Sequence, residues 1–182
     1  MKKVIFIAIL IIILGTAVII NWQYINYKNK KLSAVSNFES CVVKGNAVLE
    51  SYPRLCRTPD GKTFVEDIGN ELEKTNLIRV QTPRPNDKVL SPLEIKGEAR
   101  GYWFFEASFP VKLLDANGEE LEINPPYVQA KGEWMTEDFV PFEAKIEFQY
   151  PETKKGTLIL EKDNPSGLLE NADELRIPVT FY

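Results

Sequence analysis

Hydrophobic and polar positions change their rhythm along this chain. After Lys2 and Lys3 comes an apolar run from Val4 to Ile20, 17 residues without a charge. At about 1.5 Å per helical residue, this run, extended by Asn21 and Trp22, just spans a hydrocarbon core of about 30 Å. Trp22, Tyr24 and Tyr27 follow where an interfacial aromatic belt would lie. The pattern predicts an uncleaved transmembrane anchor over residues 1–25. Its apolar core is longer than that of a cleaved signal peptide, and no small-x-small cleavage site follows Ile20. Residues 26–37 are polar and lysine-rich and read as a juxtamembrane stalk.

The next segment, residues 38–76, has no sustained period. Cys41-Val-Val-Lys-Gly45 opens it, Cys56-Arg-Thr-Pro-Asp-Gly61 closes its cysteine pair with a strong turn signal, and a short helix is expected within Val65 to Lys74. The segment reads as a small disulfide-closed module followed by a linker.

From Leu77 onward a period of two takes over, broken by turn signals every 8 to 12 residues. About seven strands are predicted: Ile78–Gln81, Leu93–Ala99, a long Trp103–Asp115, Glu119–Ile123 after the hairpin signal Asn117-Gly118, Tyr127–Trp134, one strand around residues 142–150, and Thr157–Glu161, with Arg176–Phe181 closing the fold. The clearest alternation sets Phe142, Ala144, Ile146, Phe148 and Tyr150 against Glu143, Lys145, Glu147 and Gln149. Pro178 marks the last strand as an edge, and strand addition there is a route by which another chain could bind, which the sequence leaves undecided. The expected fold class is all-β: an immunoglobulin-like antiparallel sandwich over residues 77–182, preceded by one N-terminal transmembrane helix.

Charge narrows the functions. Residues 1–31 carry five Lys and no acid, whereas 32–182 carry 17 Lys and Arg against 26 Asp and Glu. That acidic field opposes nucleic-acid binding, which relies on basic side chains releasing counterions. The chain has no His, and its two cysteines are 15 residues apart. Metal and cofactor sites are therefore not expected, and Cys41 and Cys56 read as one disulfide in an oxidising compartment. The expected topology is a cytoplasmic N-terminus in the cell membrane with the C-terminal domain outside.

The segments Ser91-Pro-Leu-Glu-Ile-Lys-Gly97, Gly101-Tyr-Trp-Phe-Phe-Glu-Ala107, Val111-Lys-Leu-Leu-Asp115, Gly132-Glu-Trp134, Pro141-Phe142 and Gly156-Thr-Leu158 occur in order over the last hundred or so residues. Together they resemble the immunoglobulin-like domain of bacterial spore germination and related envelope proteins. The resemblance implies a surface or envelope interaction domain and supplies no catalytic residue.

The candidate binding surface is aromatic. If Tyr102, Trp103, Phe104 and Phe105 lie on a strand, two rings face the core. The other two either stay accessible, for a wall glycan or a protein partner, or are covered by loops. Trp134 poses the same choice. Glu106 and Glu133 are the carboxylates a wall hydrolase would use, without further catalytic motif, and Asp163, Asn164 and Asp173 lack the spacing of a calcium loop. Arg54, Arg57 and Lys62 form a small basic spot suited to anionic polymer or to solvent. The expected function is non-enzymatic binding or scaffolding in the bacterial envelope, with sporulation or germination as its setting. The partners are the membrane, through the N-terminal helix, and an envelope protein or wall polymer. The alternatives are a structural subunit of a membrane complex, packed through Gly15, Thr16 and Ala17, and a cell-wall glycan hydrolase.

Overall fold

Where the alternation is strongest the backbone is a single long strand, Phe139–Phe148, with Val140, Phe142, Ile146 and Phe148 buried on one face. A computed structural model of the chain describes residues 15–28 and 35–182. The expected anchor run, residues 4–20, lies mostly outside them, as do residues 29–34 of the expected stalk. Residues 15–28 are helical (α1), with Trp22, Tyr24 and Tyr27 exposed. Among the described residues no helix is long and apolar enough to cross a membrane. The chain divides into two compact units, residues 1–66 and 67–182.

The first unit holds α2 (Phe38–Val43) and a three-stranded antiparallel sheet of β1 (Ala47–Leu49), β2 (Leu55–Arg57) and β3 (Thr63–Val65). Asn37 caps α2, its side chain accepting from Ser40 N–H at 2.8 Å. Cys41 on α2 and Cys56 on β2 are joined by the expected disulfide, and both are fully buried. Among the described residues of this unit the other apolar side chains are at least partly exposed, so the cross-link takes the place of a packed core. Arg54 closes the sheet from the side: its Nε and Nη2 donate to the Glu66 carboxylate at 2.9 and 2.6 Å. The Arg54 guanidinium also lies 5.3 Å from the Phe38 ring centroid. These short strands carried no signal beyond the Pro59-Asp60-Gly61 turn, which the structure shows as a hairpin with Gly61 N–H donating to Thr58 at 2.9 Å.

The second unit begins with α3 (Glu71–Lys74) and continues as nine strands: β4 (Ile78–Thr82), β5 (Lys88–Val89), β6 (Leu93–Arg100), β7 (Ser108–Asp115), β8 (Ile123–Asn124), β9 (Tyr127–Ala130), β10 (Phe139–Phe148), β11 (Lys155–Glu161) and β12 (Glu174–Phe181). Their hydrogen-bonded order is β4-β6-β10-β9-β7-β11-β12-β5, with β8 on β10. One layer is built on β4, β6 and β10 and the other on β7, β11, β12 and β5, while β9 pairs with both β10 and β7. Inward side chains of both layers form one core in which Phe109 packs on Phe104 at 5.1 Å and edge-on to Phe142 at 5.0 Å.

Several expectations change. Nine strands replace about seven, because β5 and β8 are two residues each, too short to show a period. The long strand from Trp103 is not one strand: Gly101–Trp103 is a 3-10 turn and β7 starts at Ser108. Trp134 does not end a strand, since β9 stops at Ala130. The β12 edge is not open. β5 pairs with it in parallel at Thr180 and Phe181, and Asn86 N–H donates to Pro178 O at 2.7 Å. Further up the strand, Asn70 acts as a short surrogate strand, accepting from Arg176 N–H at 2.7 Å and donating from its side chain to Glu174 O at 2.9 Å. Asn117-Gly118 makes the expected turn, closed by Gly118 N–H to Asp115 O at 3.1 Å, with the buried Asp115 carboxylate accepting from Asn117 and Glu119 N–H.

Gly97 faces Phe142 directly across the β6–β10 ladder. A methyl group there would sit 2.6 Å from the Phe142 ring and 2.2 Å from Arg79 O, so the ring occupies the space a side chain would need. Gly97→Ala is expected to cost about 2 kcal/mol through overpacking, read as a lower denaturation midpoint with an unchanged slope. Replacing both cysteines by serine should cost the first unit about 3 kcal/mol, from the loop of about 15 residues that it reopens. Amide exchange in β2 and β3 would then be about a hundredfold faster, with the second unit unaffected.

Candidate functional site

Three connections meet at one end of the sandwich. Residues 101–107 link β6 to β7, 131–138 link β9 to β10, and 162–173 link β11 to β12. The pairing of Arg100 with Phe139, and of Glu161 with Glu174, puts these connections at the same end as the start of β7. Two contacts bind them together. Gly101 lies so close to the second loop that a Cβ would fall 2.3 Å from Trp134 O and 2.0 Å from Thr136 O. Asp163 N–H on the third loop donates to Trp103 O at 3.0 Å.

The first loop sorts the aromatic run in an order no strand allows. Trp103 and Phe104 are both buried, at 0% and 4% exposure, while Tyr102 and Phe105 are exposed. Phe105 and Ser108 then exchange backbone hydrogen bonds around a tight turn. Its two central residues, Glu106 and Ala107, have φ of 50° and 61°, the left-handed region that a side chain with a Cβ enters at a cost of about 1 kcal/mol or more. The turn holds Glu106 and Phe105 at the tip.

On the second loop Trp134 is half-buried against the core, and Met135 beyond it is exposed. Glu133 bends back to accept from Met135 N–H at 3.0 Å. The third loop is fixed by its own polar side chains. Asn164 donates to Leu168 O at 2.8 Å and accepts from the Ser166 hydroxyl at 2.6 Å, while Asn171 donates to Ser166 Oγ at 3.1 Å. This network carries Leu168 and the 3-10 turn Leu169–Asn171, and Leu169 is 91% exposed. Five large apolar side chains (Tyr102, Phe105, Met135, Leu168 and Leu169) are thus exposed at this end, from 42% for Phe105 upward.

Of the expected surface, then, Tyr102 and Phe105 are accessible, Trp103 and Phe104 belong to the core, and Trp134 lies between. Met135, Leu168 and Leu169 carried no signal in the sequence, because a loop leucine has no period by which to be recognised. Glu106 and Glu133 are exposed on two different loops. Among the described residues no group of three or more acidic or sulfur ligands is placed to hold a metal ion. The basic spot on the first unit is largely neutralised: Arg54 is held by Glu66, which raises its pKa, and Lys62 lies 3.4 Å from Asp60. A hollow of about 390 Å³ on the outer face of β6, β9 and β10 is likewise internally paired, through Lys96–Glu94 and Lys131–Glu143.

A family model for the immunoglobulin-like domain of bacterial spore germination matches residues 77–167. The chain belongs to this family. No curated protein and no solved structure gives a match. The spore-germination immunoglobulin-like domain therefore starts just before β4, and its matched span includes the first two of the three loops and the polar start of the third, Lys162 to Gly167, ending just before Leu168 and Leu169.

Partial burial raises the Asp163 carboxyl above its ordinary value of 3.8; the Asn164 N–H opposes this and the negative charge of Glu106 adds to it. Because the folded value exceeds the unfolded one, the folded chain holds this proton more tightly. Its favourable contribution is complete below the unfolded value of 3.8 and is lost as pH rises through the folded value. Asp163→Asn is expected to stabilise the protein at neutral pH. Thermal midpoints measured across pH should show that gain shrinking to nothing as the pH falls through the carboxylate range.

Proposed function

We propose that this protein is a non-enzymatic binding or scaffolding component of the bacterial envelope, tethered by its N-terminal apolar segment, and that the loop end of its immunoglobulin-like domain is the surface it presents to a partner. One observation carries this reading: one end of the sandwich exposes five large apolar side chains contributed by three separate, hydrogen-bonded loops. Apolar groups that stay exposed in a fixed frame are characteristic of docking surfaces, because the ordering that binding requires is already in place. The family of the domain and the disulfide support a setting outside the cytoplasm.

A protein partner fits this surface better than a wall glycan. Sugar stacking favours a broad, open aromatic face, and the two tryptophans of the domain are buried or half-buried. What remains outside is mostly aliphatic, suited to an apolar protein surface.

A photo-crosslinking amino acid at position 169, in the full chain in native membranes, is expected to give a discrete crosslinked product. The same probe at position 117, in the hairpin at the far end of β7, should give none. Equal products from both positions, or none from 169, would remove the loop end as the docking surface. Release of soluble fragments from purified peptidoglycan by the full chain, abolished by Glu106→Gln or Glu133→Gln, would instead establish the hydrolase.

A further inference from the structure

The charge around the exposed loop end specifies what kind of partner it accepts. Besides Asp173, which is paired with Lys74 at 2.5 Å, the three loops carry Glu106, Glu133, Glu137, Asp138, Asp163 and Glu170. Against these stand Lys131, which is turned to Glu143 on the sheet face, Lys162, and Arg100 at the end of β6, whose Nη1 donates to Glu137 O at 3.2 Å. The negative charges are close enough to act on one another across loops, since Glu106 of the first loop adds to the raised pKa of Asp163 on the third. The exposed apolar side chains Tyr102, Phe105, Met135, Leu168 and Leu169 therefore share this end of the sandwich with carboxylates drawn from all three loops.

We infer that this end docks a basic segment of another protein, one whose aliphatic or aromatic side chains meet the leucines and Met135 while its Lys or Arg side chains meet the surrounding carboxylates. The inference rests on the reading of the loop end as the binding surface and adds the chemistry of the occupant. Electrostatics disfavours the other candidates. A second copy would bring the same carboxylates face to face, an anionic lipid surface or anionic wall polymer would be repelled, and nucleic acid would be repelled more strongly. A cationic partner is instead steered toward the site. Desolvation of the apolar side chains then supplies most of the affinity, and the ion pairs set the association rate and its salt dependence.

The internal hydrogen bonds of the third loop sharpen the expectation. Asn164, Ser166 and Asn171 hold Leu168 and Leu169 outward without a partner, so binding should need little rearrangement there. Leu168→Ser with Leu169→Ser removes apolar contact and leaves those bonds intact, and Glu137→Lys with Asp138→Lys reverses charge without altering the apolar side chains.

The test is a selection from a phage-displayed library of short random peptides by the full chain in detergent micelles, followed by binding of the selected peptides to the variants. The expected result is enrichment of net-basic peptides with apolar residues. Their affinity should fall about tenfold in the leucine variant and about tenfold in the charge-reversal variant, the latter loss appearing mainly in the association rate and shrinking in high salt. An unchanged thermal midpoint confirms that each variant is folded. Selected peptides that are neutral or acidic, binding indifferent to both variants, or no enrichment at all overturns the inference. If crosslinking from position 169 still yields a partner in that case, the loop end remains the docking surface and only the basic occupant is lost. If position 169 yields none, both readings fall together.

Discussion

Burial of two adjacent aromatic residues, Trp103 and Phe104, is the constraint on which the loop end depends. Neighbours on a strand point to opposite faces, so both can enter the core only if the backbone turns between them. The 3-10 turn Gly101–Trp103 supplies that turn, and its close approach to Trp134 O and Thr136 O requires a glycine at 101. The magnitudes favour the arrangement. Burying a ring system of about 200 Å² is worth about 5 kcal/mol, against about 1–3 kcal/mol for the Trp103 Nε1–H, which finds no acceptor among the described residues. Phe104 then meets Phe109, Phe109 meets Phe142, and Phe142 fills the space above Gly97. Tyr102 and Phe105 are left outside as a consequence of packing their neighbours.

The same constraint explains what could be read from the sequence and what could not. Residues 142–148 announced their strand because polar and apolar residues strictly alternate there, and β10 has one wet face and one buried face. Asn117-Gly118 announced its turn because Gly118 takes a φ of 83°, which glycine adopts freely. The turn at Glu106 and Ala107 was silent, since neither residue favours the left-handed region; surrounding packing holds them in it. Extending the strand rule through Trp103–Ser108 therefore assigned the four aromatics to alternate faces, when the true division is an inner pair flanked by two outer residues.

Contacts distant in sequence were hidden for a different reason. Asn70 and Arg176 are 106 residues apart, and nothing local in either segment marks the other as its partner. Pro178 correctly signalled a strand poor in donors, but whether such an edge is covered depends on a segment elsewhere in the chain, here residues 86–89. The cysteine pair was legible because chemistry, more than pattern, identifies it: two thiols, no histidine and a short intervening loop leave few alternatives. The small sheet around that disulfide was not legible, because three-residue strands carry too little alternation to stand out, and the ion pair between Arg54 and Glu66 that fastens it is a tertiary contact.

The sealed flank of β12 has a bearing on how such molecules tolerate crowding. A sheet that ends in unsatisfied backbone groups invites a neighbour to continue it, and contact between copies then propagates without limit. Here Asn70, Asn86 and the parallel strand β5 occupy the donors and acceptors along that flank, and proline removes one outright. Association through this flank is thereby suppressed. Copies gathered at high density can therefore lie flank to flank and still remain separate molecules.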